Sequence, residues 1–158
     1  MATITAQLTV NSDITSYGFG INKTMTMSKA GATTGLDRTT GVQRVYLTDT
    51  KHIDLAKGGL TNTNLADMTL SASAKVYIKY LEDDTSKFIR IGLGNEADGT
   101  TATANNGDGT HFEIGRLYGN EWMIIPWNGA SNVGDITVQP SVATSADKAI
   151  VEYIVFFE

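Results

Sequence analysis

Few side chains in this sequence have the type and spacing that chemistry needs. The two histidines, His52 and His111, are not spaced as paired metal ligands. His52 lies beside Lys51 and Asp54 on a polar strand face and reads as a solvated side chain. His111 opens a strand beside a long loop, where three copies meeting on a symmetry axis would gather three imidazoles. Histidine alone is weak evidence for that. There is no cysteine, which removes disulfides, thiolate zinc sites and thiol nucleophiles. No nucleophile elbow, phosphate loop or H-E-x-x-H zinc motif occurs.

The carboxylates offer little more. A glycosidase pair needs two carboxyls facing one cleft, about 5–10 Å apart. Asp83 and Asp84 are adjacent in a predicted turn, where aspartate is favoured for its local hydrogen bonds. Glu113 and Glu121 would oppose each other across a predicted hairpin over 111–127, but each also fits the polar face of its strand. Asp98, Asn105, Asn106 and Asp108 place oxygen ligands in one loop, yet their spacing matches no calcium loop. The expectation is a protein that is not an enzyme, with no catalytic residue, cofactor or metal. Tyr118, Trp122 and Trp127 remain as candidate contacts for a partner or a glycan, since exposed aromatics stack on sugars. The bland reading of all three is burial in a core or between subunits.

The elements that carry these residues are strands. Ile4, Ala6, Leu8 and Val10 alternate with Thr3, Thr5, Gln7 and Thr9, as a half-buried strand requires. Met25 and Met27 mark a second strand near 22–28. Residues 29–41 are rich in Gly, Ala and Thr and read as a loop; strands follow near 42–48 and 51–55. Ala74, Val76, Ile78 and Tyr80 form one face of a strand, and Ile89, Ile91 and Leu93 one face of the next. Polar residues 82–86 between them predict a hairpin, with the two strands paired antiparallel. Residues 95–110 hold only Gly, Ala, Asn, Asp, Thr and a glutamate, and predict a mobile surface loop. Strands resume near 111–117 and 121–127. Pro126 cannot donate to a ladder, so the second is an edge strand or ends there. Ile136 and Val138 lie on a further strand. No window shows a helical period. Roughly eight to ten strands at this spacing predict an all-β protein, an antiparallel β-sandwich of jelly-roll type, with an immunoglobulin-like sandwich second.

Bulk properties agree with one such domain spanning residues 1–158. The chain is 41% hydrophobic and 18% charged, with 16 glycines and only 2 prolines, a balance of strands and turns. Its net charge is −5, and its 12 basic residues are scattered along the sequence, which disfavours nucleic acid. The start alternates, so a secretory signal is not expected, and no stretch approaches a membrane span. Asn22-Lys23-Thr24 is then a chance glycosylation triplet.

The last strand is unusual. Ile150, Ile154 and Phe156 lie on one side with Glu152 among them; Val151, Tyr153, Val155 and Phe157 lie on the other. Outer strands of a sandwich normally alternate apolar and polar. A strand apolar on both faces needs two covers, either a loop of its own chain or another subunit. Met123, Ile125 and Trp127 form a second surplus, opposite Trp122 and Ile124. The expectation is a homo-oligomer whose interface uses Val151, Tyr153, Val155 and Phe157.

A leaderless Thr/Ala-rich start, Gly/Thr/Asn loops, no cysteine, an acidic balance and a strongly apolar last strand together resemble the small structural proteins of tailed phages. The likeness is to capsid decoration (cement) proteins in particular. It is one of style across the chain, with no signature motif, so it assigns no residue a role. It implies a β-rich homotrimer on the virion surface, made in the host cytoplasm, that binds the major capsid protein and contributes contact area. A glycan-binding module of a phage tail or fibre tip shares the style and would rely on Trp122 or Trp127.

Overall fold

The computed structural model describes residues 4–12, 19–27, 38–47, 53–56, 74–94, 111–128, 135–141 and 149–157. These form eleven strands and no helix, hence no helix able to cross a membrane. In chain order the strands are β1 (Ile4–Ser12), β2 (Phe19–Met27), β3 (Arg38–Thr39), β4 (Gln43–Leu47), β5 (Ile53–Ala56) and β6 (Ala74–Tyr80). They continue as β7 (Phe88–Gly94), β8 (His111–Tyr118), β9 (Trp122–Trp127), β10 (Asp135–Pro140) and β11 (Ala149–Phe157). Every pairing is antiparallel. The loop expected at 95–110 lies outside the described residues, as do His52, Asp98, Asn105, Asn106 and Asp108.

The pairing is nested. β4 pairs with β11, β5 with β10, β6 with β9 and β7 with β8, as in one long hairpin. β11 then also pairs with β6, and β10 with β7, which rolls that hairpin into two sheets. Their orders are β4-β11-β6-β9 and β5-β10-β7-β8. This is a sandwich-like arrangement of two antiparallel sheets. β3 joins the first sheet beside the far end of β11, making five strands, and β1 and β2 form a separate two-stranded sheet.

One core lies between the two larger sheets. Val76, Ile78, Val151 and Val155 come from the five-stranded sheet, and Ile89, Ile91, Ile136 and Val138 from the four-stranded one; all belong to one buried cluster. Alternation makes this possible, because it turns every second residue of each strand toward the facing sheet about 10 Å away.

The paired hairpin expected of β6 and β7 does not form. β6 pairs with β9 and β11, while β7 pairs with β8 and β10, so the two strands lie in different sheets. Residues 81–87 carry the chain across the rim. The same holds for β8 and β9, joined by the short turn Tyr118–Glu121. Alternation marks the buried face of a strand, and that mark is identical for a neighbour in the sheet and for a strand facing it.

The crossing is held locally. Glu82 Oε1 accepts from the backbone N–H groups of Asp83 and Asp84 at 3.1 and 3.2 Å. Asp84 Oδ1 accepts from the Ser86 N–H at 2.9 Å and the Ser86 hydroxyl at 2.6 Å. Those bonds hold the Asp84 carboxyl below its ordinary pKa. Because the pKa is lowered by folding, the contribution is present above the ordinary carboxylate pKa and lost as pH falls from there through the lowered folded pKa. Ser86→Ala should therefore raise the Asp84 pKa in a carbon-detected NMR titration; a curve overlaying the wild type contradicts the assignment.

Two features shape the edges of the five-stranded sheet. Among the described residues β9 pairs only with β6, so Pro126 sits on an edge strand, as its missing N–H predicts. On the other edge β3 and β4 are one strand interrupted at Thr40–Val42, where Gly41 adopts a φ of 66°. Thr40 closes the gap: its N–H donates to the Val155 carbonyl at 3.0 Å, and its hydroxyl accepts from the Val155 N–H at 3.0 Å. Such a break blunts an edge that would otherwise pair with another chain.

Candidate interaction surfaces

Three surfaces carry side chains that the core does not use. The first is the outer face of the five-stranded sheet. Register places Arg44, Glu152, Lys79 and Trp122 in one row across it, and Ile154, Tyr77 and Ile124 in the next. Tyr46 lies beside Ile150, and Phe156 lies between Thr39 and Lys75. Trp122 is 49% exposed and its ring lies 6.2 Å from that of Tyr77, tilted by 36°. Arg44 Nη2 reaches Glu152 Oε2 at 3.0 Å. As an exposed pair it contributes at most about 1 kcal/mol. Partial burial, then the charge of Glu152, pushes the Tyr77 hydroxyl pKa up, so it stays a neutral donor at ordinary pH. The face is mixed: the row of Ile154, Tyr77 and Ile124 is apolar and aromatic, and the adjoining row sets Arg44, Glu152 and Lys79 beside Trp122.

The second surface is the outer face of the four-stranded sheet. Glu113 Oε1 accepts from Arg116 Nε at 2.7 Å, and Arg90 Nε lies 3.4 Å from Glu113 Oε2. Both guanidinium groups lie over the Phe88 ring, at 5.3 Å for Arg90 and 4.7 Å for Arg116. Phe88 in turn meets Tyr118, centroid to centroid 5.4 Å. The hydrogen bond from Arg116 to Glu113 raises the Arg116 pKa further. Glu113 thus lies within ion-pair distance of two arginines. Glu121 is engaged elsewhere, accepting from the Tyr118 N–H at 2.9 Å. The two do not oppose each other, since β8 and β9 lie in different sheets and Glu121 sits in the turn between them.

The third surface is the β1–β2 ribbon. Its register sets Ile4, Ala6, Leu8 and Val10 opposite Met27, Met25, Lys23 and Ile21. The other face is Thr5, Gln7, Thr9 and Asn11 opposite Thr26, Thr24, Asn22 and Gly20. One face is therefore apolar but for Lys23, and one is polar without charge. Met27 is buried, yet Leu8, Ile21 and Met25 are exposed, and no residue of the ribbon belongs to the core cluster. No group of three or more metal-ligating side chains gathers among the described residues.

These positions correct the expected sites. Val151, Val155 and Phe157 are buried in the chain's own core and Tyr153 packs against it, so the β11 face expected at an interface is the inward one. Ile150, Ile154 and Phe156 are half-buried on the outer side. Trp127 is 5% exposed and is a core residue, with Met123 and Ile125 packed against the same core. Tyr118 and Trp122 are exposed, but on the outer faces of different sheets, so the three aromatics form no common site. The charged residues alternating with them, Lys75, Lys79 and Glu152, mark the outward side of β6 and β11 in the sequence. Nothing local marks the ribbon as separate from the sandwich. No model of a known protein family matches the chain, and no curated relative matches it.

Proposed function

We propose that the chain is a structural protein of a virion, a capsid decoration protein of a tailed phage. It would work through contacts with copies of itself and with the major capsid protein. The observation that supports this most is the amount of apolar surface the fold leaves open after filling its core: the ribbon face and the outer face of the five-stranded sheet. Open faces of that kind are characteristic of interaction surfaces. The sandwich-like fold is compatible, since jelly-roll sandwiches are used by viral coat domains among others, but a fold alone assigns no function. The charged networks on the four-stranded sheet are paired internally and read as ordering devices.

Size-exclusion chromatography with light scattering, followed by mixing with expanded phage heads, tests the reading. The expected result is a mass that is a multiple of 16.9 kDa and co-sedimentation with the heads. A monomer at micromolar concentration that leaves the heads unbound overturns it. The half-exposed Trp122 beside Tyr77 favours one other reading, a glycan-binding module of a tail or fibre tip. In that case Trp122→Ala should abolish retention on a glycan array while leaving the mass unchanged.

A further inference from the structure

Deepening the glycan-binding reading, and resting on it, we propose that the Trp122–Tyr77 site takes an acidic saccharide, whose ring stacks on the Trp122 indole while its carboxylate meets Lys79.

Register builds the site. Lys79 lies directly opposite Trp122 and has Glu152 as its neighbour on the other side. Tyr77 is one row away, its ring 6.2 Å from the indole. Among the described residues β9 pairs with β6 alone, so the half-exposed indole is open from the sheet edge as well as from above. The amphipathic indole can lie against the apolar C–H face of a sugar and still present its N–H. The site spans two strands about 5 Å apart and two rows about 7 Å apart. That is the footprint of a sugar ring or two, and far less than the roughly 800 Å² per partner of a stable protein interface.

Hydrogen bonding selects the kind of sugar. Among the described residues the Lys79 ammonium, the Trp122 indole N–H and the Tyr77 hydroxyl make no hydrogen bond, and Lys79 makes no ion pair. The carboxylate beside them is engaged: Arg44 holds Glu152 Oε2 through Nε and Nη2, each at 3.0 Å. Glu121, which precedes Trp122, accepts from the Tyr118 N–H. The site therefore offers donors. A sugar hydroxyl both donates and accepts, whereas a carboxylate only accepts and also brings the charge that Lys79 lacks. The wider face agrees. β4, β6, β9 and β11 carry Arg44, Lys75 and Lys79 against Glu152 alone, in a chain whose net charge is −5. A locally cationic face on an acidic protein draws in an anion.

The chain has two tryptophans, and Trp127 is buried, so their indole N–H signals in an NMR spectrum separate the site from the core. Oligogalacturonate titrated into the full chain should move the Trp122 signal and leave that of Trp127 in place. Lys79→Gln should weaken binding at least fivefold, and Lys79→Arg should restore most of it. Trp122→Ala should abolish it with the circular dichroism unchanged, because the side chain lies outside the core cluster. Raising the salt from about 50 to about 500 mM should weaken binding, since the pair with Lys79 is exposed to screening. Methyl-esterified oligogalacturonate that moves Trp122 equally well, or a Lys79→Gln chain that binds like the wild type, overturns the acidic specificity and leaves the glycan reading standing. Polyglutamate bound as tightly overturns the saccharide and makes the partner an acidic protein segment. No shift from either form at about 10 mM, where even a Kd of about 1 mM is saturated, overturns the proposal. The glycan reading falls with it if the array also retains nothing.

Discussion

Val155→Asp is expected to destabilise the chain severely, whereas Phe156→Asp, one residue further on, is expected to leave it folded. Val155 is 2% exposed, on a strand paired on both sides, with Val76 as its cross-strand neighbour. A carboxylate there has no cation within the cluster and loses its hydration, a cost of several kcal/mol or a strongly raised pKa. Domains of this size are stable by only about 5–15 kcal/mol. We expect a loss of at least about 4 kcal/mol in urea denaturation, the range reserved for buried unpaired charge. Phe156 is half-buried on the outer face beside Lys75, so its substitution should cost no more than about 1–2 kcal/mol. Equal effects at the two positions would mean that β11 does not turn the face assigned here toward the core.

The second large effect is expected at the rim, where the turn between β8 and β9 meets the crossing between β6 and β7. A Cβ at Gly119 would lie 2.5 Å from the Glu82 carbonyl oxygen and 2.8 Å from that of Asp84. Both obstacles are backbone, and the turn has little room to retreat. The Asn120 N–H donates to the Tyr80 carbonyl, and the Tyr80 N–H to the Glu121 carbonyl, each at 3.0 Å. Gly119→Ala should cost about 1–3 kcal/mol, as overpacking does. At this chain length that corresponds to roughly 2–12 °C in Tm. Asn120→Gly is the control: Asn120 has a φ of 67°, which glycine adopts without strain, so Tm should change by only a few degrees. Calorimetry on the two variants checks the contrast; a Gly119→Ala protein as stable as the wild type refutes the close approach.

The faces of the strands were legible in the sequence, and their partners were not. Val76 and Ile78 on β6, and Ile89 and Ile91 on β7, are inward residues in the structure as their alternation predicts. The pattern carries no information on whether β7 lies beside β6 or across from it, and five polar residues suit either connection. Long pairings such as β4 with β11 have no local trace at all. On β11 the two apolar faces were visible, and Glu152 was the available clue to which one looks outward. A charge is tolerated on the side that water reaches. The ribbon follows the same logic: Leu8 and Met25 alternate as core residues do, and only the three-dimensional pairing removes them from the core.

The nested pairing also sets an order of events. Arg44 and Glu152, bonded in the sheet, lie 108 positions apart in the chain. β11 lies inside its sheet, with β3 and β4 on one side and β6, then β9, on the other. At about 5–20 residues per second, β4 waits on the order of ten seconds on the ribosome for β11, its one strand partner among the described residues. During that interval Val45, Val76 and Ile78 have no completed sheet to enclose them. Contacts this distant in sequence make folding slow, in the millisecond-to-second range even for a finished chain. β1 and β2, by contrast, can close on each other as soon as Met27 has emerged, so the ribbon is complete before any part of the sandwich can be.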